Sequence, residues 1–150
     1  MLKGPQRILL VEDDADDELF AIKAIGKCEI KTTIEVVRDG AEAIDYLFRR
    51  NISEVELPEL ILLDINLPIV SGLEVLKELK QNPQTSQIPV VIMSSSSEHS
   101  DVTTAYELGA NSYIRKPVDF SDFSTLIERL LEYWLALNFV ASRSLDVDLC

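Results

Sequence analysis

The chain is poor in the residues that cross-link a fold or build a metal finger. Cysteine occurs only at Cys28 and Cys150, with no CxxC spacing. That excludes a disulfide framework or a cysteine zinc site and makes a reducing cytoplasm the expected compartment. Histidine is scarcer still. His99 stands alone near the start of an expected helix, without a kinase signature around it, and reads as a surface residue. Positive charge is short as well, 14 Lys and Arg against 26 Asp and Glu, for a formal net charge of -12. A field of that sign repels phosphate backbones and anionic lipid, so it argues against nucleic-acid and membrane-surface partners and favours cations and basic ones. The apolar run inside MLKGPQRILLVEDD is too short for a signal-peptide core or a membrane span. No internal repeat, low-complexity tract or long Gly/Ser/Pro linker offers a place to cut the chain, so residues 1–150 are expected to form a single domain.

What the chain does have is 47% hydrophobic content, enough for an ordinary core. Much of it falls in four short runs rich in branched residues: Ile8–Val11, Ile34–Val37, Leu60–Leu63 and Val90–Met93, with a weaker fifth at Ser112–Ile114. The first, third and fourth are continuous rather than alternating, as parallel strands covered on both faces require. Helical patterns separate them, over about 15–27 with Leu19, Ile22 and Ile25 at helical spacing, about 40–50, after Gly72 with Asn82-Pro83 closing, about 98–108, and roughly 119–138. In the fourth, Val102, Ala105 and Tyr106 are expected inward and Gly109 is expected to cap. The repeat predicts an α/β, doubly wound, flavodoxin-like (βα)5 fold with a five-stranded parallel sheet in the order 2-1-3-4-5.

In such a sheet a ligand site forms beyond the carboxyl ends of the strands. Here those ends supply Glu12-Asp13-Asp14, Asp64 with Asn66 two residues on, Ser94-Ser95, and Lys116-Pro117. Glu12, Asp13 and Asp64 in one crevice call for a hard cation, and Mg²⁺ suits carboxylates, a backbone carbonyl and water. Asp14 and Ser96 have a plainer reading, as helix cap and turn former.

The ordered segments ILLVED, LILLDINLP, PVVIMSS and SYIRKP resemble the signatures of the response-regulator receiver family over about residues 7–138. The resemblance implies that Asp64 is the phosphoacceptor, that Glu12, Asp13, Asp64 and the Asn66 backbone carbonyl hold Mg²⁺, and that Lys116 and Ser94 contact the phosphoryl oxygens. It also implies a possible cis peptide at Lys116-Pro117 and a switch pair formed by Ser94 and Tyr113. The donor would be a phosphohistidine on a sensor histidine kinase. VVRDGAEAIDYL, GANSYIRKPVDF and EYWLAL resemble, more narrowly, the single-domain regulators associated with phytochrome-type histidine kinases.

Two features concern output. Apolar residues of the last helix, from Phe120 to Leu137, spread over roughly 200° against about 100° for an ordinary surface helix, which points to a homodimer through that helix. No helix-turn-helix is expected after residue 138, leaving protein contact or phosphoryl relay as output, and the tail 139–150 is expected to dock. A haloacid-dehalogenase-type phosphatase, the enzyme alternative, needs a second acid where Asn66 stands. A degenerate receiver acting as a passive binding module would be expected to lack one of the site residues. A flavodoxin would need glycines and hydroxyls where the first turn is acidic.

Overall fold

Branched apolar side chains fit a pleated surface buried on both faces, and the apolar runs form the strands. The computed structural model describes residues 4–50 and 56–140; the expectation that the tail docks falls, for residues 141–150, outside the described residues. The strands are β1 (Gln6–Val11), β2 (Thr32–Val37), β3 (Leu60–Leu63), β4 (Val90–Ser94) and β5 (Ser112–Arg115). All pairings are parallel, and the sheet order is β2-β1-β3-β4-β5, as the sequence predicts. Val11 lies opposite both Val37 and Leu63, so the carboxyl ends of the three strands come level at one sheet edge.

Strand residues feed two cores alternately. Leu9, Val11, Ile61 and Leu63 pack with Val75, Leu76 and Leu79 of α3 (Gly72–Gln81) and Ala105 of α4 (His99–Glu107). Ile8, Leu10, Leu60 and Leu62 pack on the other face with α1 (Ala15–Gly26) and α5 (Phe120–Leu131). Helix α2 (Gly40–Ile44) runs into a wider π-type turn, Asp45–Arg49, and α5 into another, Glu132–Leu137. Gly109 closes α4 with φ +104, in line with the expected cap.

One inward assignment changes, and one helical pattern is buried only in part. Helix α1 packs through Ala21, Ala24 and Ile25, and leaves Leu19 and Ile22 exposed. Its alanine face allows a close approach to the sheet and α5, so the bulkier residues fall at the rim. Tyr106 is exposed too, because its hydroxyl accepts from the Tyr113 N–H at 3.0 Å on the edge strand β5. The last helix is less over-wide than its projection suggests. Phe123, Ile127, Leu130, Leu131 and Leu135 are buried, and Leu126 and Trp134 pack against the same core. The helix is wedged between sheet and α1, where Phe20 meets Phe120 edge-on at 5.2 Å, and this covers most of the breadth. Tyr133, Leu137, Phe139 and Val140 remain exposed.

The loop from β3 to α3 is built around two backbone constraints. A Cβ on Gly72 would lie 2.1 Å from the Asp64 carbonyl oxygen, so only glycine lets α3 begin against the backbone of that residue. Ile69, by contrast, holds φ +69 although it is β-branched, and its side chain is 80% exposed. Left-handed backbone costs such a residue roughly 1–2 kcal/mol and asparagine less. Ile69→Asn is therefore expected to stabilise the fold by about 1 kcal/mol in urea unfolding. An unchanged midpoint would mean that the loop relaxes the strain elsewhere.

Candidate functional site

Sheet pairing runs one residue past each strand end, and this aims the polar side chains. The N–H of Glu12 donates to Val37 O at 3.0 Å, that of Asp64 to Val11 O at 3.1 Å, and that of Lys116 to Ser94 O at 2.9 Å. Glu12 and Asp64 are thereby fixed where the apolar core ends, 4% and 7% exposed. Lys116 Nζ lies between them, donating to Glu12 Oε1 at 2.6 Å and to Asp64 Oδ2 and Asp17 Oδ2 at 2.9 Å each. These four residues line one cleft together with Leu10, Leu62, Met93 and Phe123.

The other Asp64 oxygen, Oδ1, accepts from the Asn66 N–H at 3.0 Å. Asn66 Nδ2 in turn donates to the hydroxyl of Ser94 at 3.4 Å, and the Ser96 N–H donates to the same hydroxyl at 3.2 Å. Ser94 is fully buried. Tyr113 reaches the same loop, its hydroxyl donating to Ser96 O at 2.8 Å, while Ser96 Oγ donates to Asp101 Oδ2 at 2.6 Å. Burial pushes the Tyr113 hydroxyl above its ordinary range, against the opposing bonds to Ser96 and Ser94.

The structure thus brings together Glu12, Asp13, Asp64 and Lys116, with Ser94 joined through Asn66. Asp14 is the N-cap of α1, its Oδ1 accepting from the N–H groups of Asp16 and Asp17, as the plainer reading of that residue had it. His99 is exposed. The possible cis bond is corrected: the Lys116-Pro117 peptide is trans. Lys116 reaches all three acids with the intrinsically favoured isomer. Asp17 is the site residue that the sequence reading missed. It belongs to an acidic first turn that looks like ordinary complementation of the helix dipole, and only its place three residues after the cap hinted that it turns back toward the strand ends.

Burial pushes the Glu12 carboxyl up to about 7, with the Asp64 charge adding and Lys116 opposing. For Lys116 burial works downward, but its bonds to Glu12, Asp64 and Asp17 prevail and hold the ammonium above the ordinary lysine range. The lysine is therefore charged at neutral pH. Glu12 imposes a pH dependence on stability, because between its ordinary 4.5 and about 7 the folded state keeps a proton that the unfolded chain releases. Its contribution is favourable at the acid end of that window and is lost as pH rises through about 7. In chelator, urea unfolding from pH 5 to 7 is expected to show stability falling with pH, and Glu12→Gln to flatten that slope. An identical slope in the variant would assign it to other groups.

Divalent metal fits the acids. One oxygen from each of Glu12, Asp13 and Asp64 can be taken so that all three lie within 4.8 Å of one another. Carboxylate oxygens are the donors a hard cation such as magnesium takes, and these three acids would hold it. Asp13 is exposed and open to solvent, while Glu12 and Asp64 are buried. The need for a cation is tempered by the Lys116 ammonium, yet one positive charge faces Glu12, Asp13, Asp17 and Asp64.

A parallel 2-1-3-4-5 sheet with an acid triad and a lysine at its carboxyl edge is the architecture of phosphoacceptor signalling domains. The family model of the response regulator receiver domain matches residues 8–128, and the chain belongs to that family. This is a family of signalling domains rather than of catalytic enzymes, which sets the phosphatase alternative aside. The chain is 38% identical over 136 residues to the probable methanogenesis regulatory protein FilR2 of Methanothrix harundinacea, covering 91% of this chain and 88% of that one. It is 37% identical over 132 residues to response regulator Rcp1 of Synechocystis, covering 87% and 90%. The Mn²⁺-bound structure of Rcp1 matches with a TM-score of 0.83 at 35% identity, over 92% of this chain and 100% of that one. The phosphorylated cyanobacterial phytochrome response regulator RcpA matches with a TM-score of 0.85 at 36% identity, over 93% and 100%. The chain is closely related to phytochrome-associated response regulators.

Proposed function

We propose that the chain is a single receiver unit over about residues 7–138 in which Asp64 takes a phosphoryl group from the phosphohistidine of a sensor histidine kinase of the phytochrome-associated type. The observation that carries this reading is the buried Lys116 ammonium held on Asp64 Oδ2 at 2.9 Å beside the acid triad. Attack through Oδ2 forms the O–P bond next to that ammonium. The P–N bond breaks, its electron pair goes to the donor nitrogen, and a histidine protonated at its other nitrogen leaves as neutral imidazole. Lys116 and the Ser94 hydroxyl then share the phosphoryl oxygens.

Glu12, Asp13 and Asp64, with the Asn66 carbonyl, are the residues to hold Mg²⁺, which when bound neutralises charge on the transferring group. Ser94 and Tyr113 form the switch pair: Ser94 moves toward the phosphoryl group and Tyr113 responds through its bond to the Ser96 carbonyl. The donor docks over exposed Leu19 and Ile22 of α1 and Val118 after β5, which lie close in sequence to Asp17 and Lys116 and suit a partner with an apolar surface.

Output runs by protein contact or phosphoryl relay in the cytoplasm. Among the described residues no helix is long and apolar enough to cross a membrane, and the charge of -12 disfavours nucleic acid. Exposed Tyr133, Leu137, Phe139 and Val140 support a homodimer through the end of the last helix, on a narrower strip than the sequence projection implies. The test is incubation with acetyl phosphate and Mg²⁺, followed by mass spectrometry and light scattering. One added phosphoryl group, released by hydroxylamine as an acyl phosphate is, supports the reading; a chain without such an adduct refutes it.

A further inference from the structure

Lys116 has three N–H donors, and all three are committed to carboxylates from three different elements. Two of the acceptors, Glu12 and Asp64, also belong to the triad grouped for a divalent cation; Asp17 does not. Were Glu12 to turn to a cation, Lys116 would still keep Asp64 and Asp17. On this chain, then, the lysine has an anchor independent of the metal ligands. We propose that Asp17 is a positioning residue, which keeps the Lys116 ammonium aimed at Asp64 during phosphoryl transfer; this rests on the reading of Asp64 as the phosphoacceptor.

The anchor is itself held in place. Asp14 Oδ1 accepts from the N–H groups of both Asp16 and Asp17, at 2.9 and 3.0 Å, which sets the first turn of α1 against the end of β1. Helix α1 packs its Ala21, Ala24 and Ile25 face into the same core as α5, so the turn cannot drift from the sheet without opening that core. Asp17 is 33% exposed, but its partner is only 8% exposed and triply bonded. The contact therefore differs from a solvated surface pair, which two flexible side chains would hold loosely. Asp16 and Glu18 stand on the same turn and make no bond to Lys116. The role belongs to one acid of the turn and not to its charge as a whole.

Phosphoryl transfer gains from an ammonium that need not be recruited at the moment of reaction. Asp17→Asn keeps the size of the side chain and removes the charge that fixes the lysine. At saturating Mg²⁺ and acetyl phosphate its phosphorylation rate constant is expected to fall about tenfold, with half-saturation by acetyl phosphate little changed. Asp17→Glu should recover most of the rate, and Asp16→Asn should match the parent. A second readout needs neither metal nor donor. In metal-free protein the buried Lys116 ammonium should give a slowly exchanging ¹H–¹⁵N signal, lost in Asp17→Asn and kept in Asp16→Asn. A rate constant for Asp17→Asn within twofold of the parent overturns the proposal whatever the melting temperature, and so does an ammonium signal that survives the substitution. If the parent takes up no phosphoryl group, the phosphoacceptor reading fails by itself and the ammonium signal alone decides whether Asp17 anchors the lysine.

Discussion

Asp64→Asn is expected to abolish phosphoryl uptake while leaving the protein folded and more stable. The amide keeps the shape of the side chain and the acceptor for the Asn66 N–H, which lies 3.0 Å from Oδ1 in the parent. What it loses is the anionic oxygen proposed to attack phosphorus. It also removes one of the three carboxylates bonded to a single ammonium, with Asp13 beside them, and with it like-charge repulsion in a buried crevice. Radiolabel from acetyl phosphate in the presence of Mg²⁺ should therefore fall to background, and the metal-free melting temperature should rise. Label retained on the variant would remove Asp64 as acceptor; label lost together with the fold would leave the loss uninformative, which is why melting is measured on the same sample.

Lys116→Met should act in the opposite direction on stability. Removing one partner of a buried ionic cluster leaves the others uncompensated, at a cost of about 3–5 kcal/mol. Here the stranded groups are Glu12 and Asp64, both buried, and the half-exposed Asp17, which water can rescue in part. In chelator the variant should unfold at markedly lower urea than the parent. Magnesium should close most of that gap and bind more tightly to the variant, because a competing positive charge has gone. Calorimetric titration with Mg²⁺ and urea unfolding in chelator read both effects. Parent-like stability in chelator would mean that the ammonium does not hold the acids together.

The sheet was legible because its strands are apolar on both faces, which leaves few alternatives to a parallel sheet with covered sides. Once the order was set, the side chains one residue beyond β1, β3 and β5, and Ser94 at the last residue of β4, could be read off directly. Glu12, Asp64, Ser94 and Lys116 stand at those positions. Helix faces were less legible, since Leu19, Ile22 and Tyr106 keep helical spacing yet lie outside, displaced by an alanine face on α1 and by a hydrogen bond at the sheet edge. The projection of the last helix misled for a related reason: it counts apolar residues but not the neighbours on two sides. Asp17 escaped because an acid in a first turn has an ordinary explanation, and the lysine that claims it is 99 residues away.

Strand β3 contributes Ile61 and Leu63 to one core and Leu60 and Leu62 to the other, and Asp64 is its next residue. The proposed acceptor thus sits on the seam of the molecule, where a pull is felt by both layers at once. Hydrogen exchange offers a way to see this. On phosphorylation, amides on the α1/α5 side and on the α3/α4 side should change protection together, whereas a substitution within one layer, such as Leu79→Ala or Leu130→Ala, should loosen mainly its own side.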